Sequence, residues 1–64
     1  MTNEFENQAA AKIAYLESVG GYDIPLVLRK EAAYLKTKKS AHFHEKAAAY
    51  EAAAAAYEAA KKKV

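Results

Sequence analysis

Every glycine and proline in this chain falls inside one short stretch, Ser18–Leu26, which reads SVGGYDIPL. That stretch is the only strong breaker in the sequence, so whatever lies on either side is free to be helical. Gly20 suits the position just past a helix end, where a positive φ costs glycine nothing. Asp23 or Ile24 can open the next helix, with Pro25 in its first turn, and Ile24 is biased away from helical dihedrals because it precedes proline.

The N-terminal segment predicts a helix over residues 4–19. Asn3 followed by Glu6 resembles a capping box. At about 100° per residue, Phe5, Ala9, Ile13, Leu16 and Val19 share a face, with Tyr15 at its edge and Lys12 close enough to snorkel outwards. After the breaker, a second helix is predicted from about residue 25 to 38. Ile24, Val27, Leu28, Ala32 and Leu35 form its stripe, flanked by Tyr34. Arg29, Lys30, Lys36 and Thr37 are expected to point away. Leu26 lies on that charged side, beside Lys30 and Ala33, either as an ordinary exposed leucine or as a contact for a partner.

Two arrangements of the remaining chain are open. Without another glycine or proline, helix 2 can run through LKTKKSAHFHE to the end. The lysines before Ser40, and Ser40 itself as an N-cap, argue instead for a break and a third helix over about 41–62. The apolar register steps by eight between Leu35 and Phe43 rather than by seven, which suits an interruption but does not require one. A continuous helix over 25–62 would be about 57 Å long, more than twice helix 1, and would need a second chain to cover it. The predicted fold is therefore all-α: a helical hairpin or a small three-helix bundle, a single domain with a long alanine-rich C-terminal helix.

That last helix repeats AAAYEAA twice over residues 47–60. On a helical wheel, Phe43, Ala47, Tyr50, Ala54 and Tyr57 form one seam, with alanines at the positions where a small side chain lets two backbones approach closely. Ala48, Ala52, Ala55 and Ala59 form an alanine-only stripe opposite, and Ala49, Ala53, Ala56 and Ala60 a flank. His44, Glu51, Glu58 and Lys62 share one charged edge, with Glu58 and Lys62 spaced for an i,i+4 pair. The opposite stripe meets either water or another chain, and its lack of Lys, Glu and Gln favours a chain.

A chain of 64 residues with no cysteine has no disulfide or Cys-based zinc site to reinforce a small core. Oligomerisation or a partner is the staple left. Ten Lys or Arg against eight Asp or Glu leave a formal charge of +2, too balanced to require nucleic acid or a membrane. The start MTNEFENQ is polar and acidic, and the longest apolar run is interrupted by Glu51 and Glu58. The expected location is therefore cytoplasmic.

No chemistry-bearing constellation stands out. His42 and Glu45 are i,i+3, but His42 and His44 lie about 200° apart on a helix and cannot close on one ion. No phosphate-binding glycine loop and no nucleophile–base grouping is present, so neither an enzyme, a metal nor a cofactor is expected. The sequence predicts a small non-enzymatic interaction module that binds a partner protein, itself included, through tyrosine–alanine helix faces. Tyr50, Ala54 and Tyr57 are candidates for close helix packing, and Leu26, Tyr34, Ala52 and Ala55 for an outer contact. The alternative is a small basic nucleic-acid-binding regulator using Arg29, Lys36, Lys38 and Lys39.

Overall fold

A computed structural model describes residues 4–62, Lys62 by its backbone alone. Three helices follow one another: α1 (Glu4–Val19), α2 (Ile24–Lys36) and α3 (Ala41–Lys62), with no strand among the described residues. The fold is all-α with a long C-terminal helix. The expected Asn3 cap and the Glu58–Lys62 side-chain pair lie outside the described residues.

Each break has a local cause. Gly20 and Gly21 both take φ of 81°, a region that L side chains avoid. The Gly20 amide donates to the Leu16 carbonyl at 2.9 Å, closing α1 with an αL cap. Asp23 opens α2 as its N-cap residue: its carbonyl accepts from the Val27 amide at 3.0 Å, while its side chain makes no cap bond. Ile24 is helical although it precedes Pro25, because its side chain is buried in the core and that burial outweighs the local steric bias.

Helix α2 ends at Lys36, short of the expected residue 38. The Thr37 and Lys38 amides donate to the Tyr34 and Leu35 carbonyls, the tighter i→i−3 pattern that finishes a helix. The Thr37 hydroxyl donates to the Tyr34 carbonyl as well, at 2.6 Å. Ser40 then starts α3. Its carbonyl accepts from Phe43 and His44, and its hydroxyl oxygen accepts from the His42 amide at 3.2 Å. His44 reaches back, its Nε2–H donating to the Lys38 carbonyl at 2.6 Å, which ties the linker to the first turn of α3. The chain is thus interrupted between Lys36 and Ala41 rather than continuous.

Side-chain contacts fix the helix directions. Phe5 meets His42 edge-on at 4.9 Å, and the Tyr57 hydroxyl donates to Glu17 at 3.2 Å, so α1 and α3 run parallel. Arg29 reaches Glu58 and Lys36 reaches Glu51, so α2 runs antiparallel to α3. Lys12 pairs with Glu31 at 3.6 Å across α1 and α2. The topology is up–down–up. Helix α3 packs most extensively on α2 and also on α1, while α1 and α2 touch little.

The core follows from this central place of α3. Ala9 and Leu16 of α1, Ile24, Leu28, Ala32 and Leu35 of α2, and Ala47, Tyr50 and Ala54 of α3 are buried together. Four of these nine are alanines, and each is 1% exposed or less. Alanine contributes little apolar area, so its role here is geometric: it lets helix axes approach and leaves room for Tyr50 and Leu28. Leu28 is wholly buried and contributes about 1.5–3 kcal/mol by removal of its surface from water. Ile13, Val27, Phe43, Ala53 and Tyr57 pack around the rim. Val19, expected on the inner face of α1, is instead exposed, because it lies on the last turn beside the glycines.

Candidate interaction surfaces

The structure divides the seven residues that the sequence singles out for partner contact. Tyr50 and Ala54 are 5% and 0% exposed and sit inside this chain's own core, so they are not available to a second protein in this fold. Tyr57 is half-buried, its hydroxyl on Glu17 and its ring under the Lys61 ammonium at 5.3 Å. The seam that the wheel identifies is an intramolecular one. Burial pushes the Tyr50 phenol above its ordinary range, and the nearby charge of Glu31 adds to that shift.

Leu26, Tyr34, Ala52 and Ala55 lie outside. Leu26 is 47% and Tyr34 57% exposed, and Ala48, Ala52, Ala55 and Ala59 of the outer stripe are all exposed. Three further large apolar side chains share this state: Tyr15, Val19 and Tyr22, each more than half exposed. With Leu26 they belong to the same end of the bundle, around the α1–α2 turn. Sequence reasoning placed Tyr15 at an edge, put Val19 in the core and passed over Tyr22. The spacing Tyr15–Val19, i to i+4 on one flank of a helix with no partner beyond it, is the signal that was there to read.

The basic residues are not a free face. Arg29 and Lys36, expected to point away from the bundle, lie on the flank of α2 nearest α3. The Arg29 guanidinium binds both Glu58 oxygens at 2.7 Å, and Lys36 Nζ binds Glu51 at 2.6 Å. The hydrogen bonds that Arg29 donates to Glu58 hold its proton more tightly than usual; partial desolvation works against this, and the charges of Glu58, Glu51 and Asp23 support it. Lys38 stands over the Tyr34 ring at 4.5 Å. Lys39 is exposed. Of the four cations proposed for nucleic-acid contact, two are thus neutralised by carboxylates and a third rests on an aromatic face.

One groove opens on the side away from α2. Phe5 and Glu6 of α1 and Glu45, Ala48, Ala49 and Ala52 of α3 line it, around a volume of about 430 Å³. Its floor is an aromatic ring and alanine methyls, and its two polar side chains are both acidic. Phe5 is held in place by the ring of His42. No group of three or more His, Cys, Asp or Glu side chains among the described residues could hold a metal ion.

The described residues define a three-helix, all-α chain with apolar side chains on its outer faces and a shallow acidic groove. No protein-family model, curated protein or solved structure matches the chain. No helix among the described residues is long and apolar enough to cross a membrane.

Proposed function

We propose that this chain is a small, non-enzymatic interaction module that binds another protein, itself included, through the outer faces of its helices. The observation that carries this reading is the apolar surface the three helices leave uncovered: Tyr15, Val19, Tyr22, Leu26 and Tyr34, together with the outer alanine stripe of α3. A chain this small has little apolar residue to spare from its core, yet five large apolar side chains stand outside it. Tyrosine, which makes up three of the five, is a side chain that anchors protein contacts, since it carries large area at low conformational-entropy cost.

The nucleic-acid reading keeps less support. Arg29 and Lys36 already have carboxylate partners, and Lys38 rests on the Tyr34 ring. Phosphate binding would have to break two ion pairs to recruit them.

The discriminating experiment compares the immobilised wild-type chain with a variant carrying Tyr15→Ser, Tyr22→Ser, Leu26→Ser and Tyr34→Ser. All four positions are exposed, so helix content by circular dichroism is expected to persist. A stoichiometric protein partner should be retained by the wild type and lost by the variant, with weak dependence on salt. Retention by both chains would contradict the reading. So would binding to random DNA that falls steeply with salt and disappears in Lys38→Ala/Lys39→Ala.

A further inference from the structure

Some charged side chains of this chain meet an opposite charge on a neighbouring helix and others do not. Glu31, Glu51 and Glu58 each face a cation on a neighbouring helix: Lys12, Lys36 and Arg29. Glu17 accepts from Tyr57. The two acids of the groove, Glu6 and Glu45, face no cation among the described residues. Lys30 is their counterpart: an exposed ammonium on the far side of α2 with no carboxylate against it among the described residues.

The surroundings of the two are complementary as well. Lys30 lies on the outer ridge of α2, one turn from Leu26 and close to one turn from Ala33, both exposed. It is a cation framed by apolar side chains. The groove is the inverse: two carboxylates over Phe5, Ala48, Ala49 and Ala52, with methyl groups that let a second helix come close. Within one molecule the two cannot meet, since the groove opens between α1 and α3, and the Lys30 ridge is on the face of α2 turned away from both.

We propose that the groove of one copy receives the Leu26–Lys30–Ala33 ridge of a second copy, with Lys30 between Glu6 and Glu45. This rests on the interaction reading above and names the partner as the chain itself. The contact is heterologous: each copy offers one ridge and one groove, so copies add head to tail and form a ring or an open array. Lys30 supplies charge complementarity that orients the docking helix, and Leu26 and the alanines supply the apolar contact.

The test is sedimentation of the full chain over a wide concentration range, using the wild type, Lys30→Glu, and Glu6→Lys/Glu45→Lys, with helix content checked for each. The average mass of the wild type should rise with concentration. Either variant alone should associate roughly tenfold more weakly or less, because like charges then face each other. An equimolar mixture of the two variants should regain association, since each retains one intact half and the two reversed halves are again complementary. Should Glu6→Lys loosen α1, Glu45→Lys alone carries the groove arm of the test. A wild-type chain that stays monomeric at every concentration overturns the proposal. So does association indifferent to the reversals, or a mixture that is not restored. If the wild type is monomeric but still captures a different protein through Tyr15, Tyr22, Leu26 and Tyr34, the second-copy assignment falls while the interaction reading stands.

Discussion

Arg29 and Glu58, twenty-nine residues apart, meet through two parallel hydrogen bonds of 2.7 Å between guanidinium and carboxylate. With Lys36–Glu51 at 2.6 Å, this pair sets the register in which α2 lies antiparallel on α3. A register shifted by one turn would take both cations away from their carboxylates. The two glutamates of the repeated AAAYEAA unit are therefore the partners of α2, spaced one heptad apart as Arg29 and Lys36 are.

Both pairs are about half exposed to water, so they orient more than they stabilise. Arg29→Ala and Glu58→Ala should each lower the thermal midpoint slightly, and the double variant should lose less than the sum. Arg29→Lys keeps the charge but not the fork, and should behave closer to the alanine variant than to wild type. The coupling should shrink as sodium chloride is raised, which melting curves at low and high salt would read out.

Ser40 holds the start of a 22-residue helix by a single side-chain bond to the His42 amide. Replacing it with alanine should cost about 1 kcal/mol, as loss of an N-cap does, while Ser40→Asp should be nearly neutral. Urea unfolding followed by helix signal measures both. If Ser40→Ala leaves the midpoint unchanged, the His44–Lys38 latch is holding the linker instead.

Tyr50 ties stability to alkaline pH. Its phenol is raised in the folded chain, first by burial and then by Glu31, so the folded state keeps a proton that the unfolded state releases more readily. This contribution is fully present below the ordinary value of 10.0 and is lost as pH rises from there through the raised value. Wild type should therefore lose stability above about pH 10, and Tyr50→Phe, which keeps the ring, should lose less over the same range. Equal slopes in the two chains would remove Tyr50 as the cause.

Much of this fold is legible in the residues themselves. The all-α class follows from where glycine and proline fall, and the inner seam Ala47–Tyr50–Ala54 follows from its three–four spacing. The break after Lys36 is visible only as an eight-residue step, a cluster of lysines and a serine, because a helical wheel gives the same faces whether or not the helix is interrupted. The candidate site was read less well. A wheel ranks positions by angle from the core and does not say which neighbour stands on which flank. Arg29 and Lys36 therefore looked solvated, and Tyr50 and Ala54 looked available to a partner. Assigning them requires knowing that α3 packs on both α1 and α2, which depends on how the buried alanines Ala9, Ala32, Ala47 and Ala54 let the helices close.

That division of alanines is the centre of the account: Ala54 works inside the bundle and its neighbour Ala55 outside. Urea unfolding of Ala54→Leu and Ala55→Leu tests it most directly. Leucine at position 54 has no space to enter and should destabilise the chain by about 1–3 kcal/mol, as overpacking does. Leucine at position 55 should change stability by less than about 0.5 kcal/mol, as a substitution on an open surface does. The reverse order, or two equal losses, would contradict the assignment of one alanine face to the core and the other to the surface.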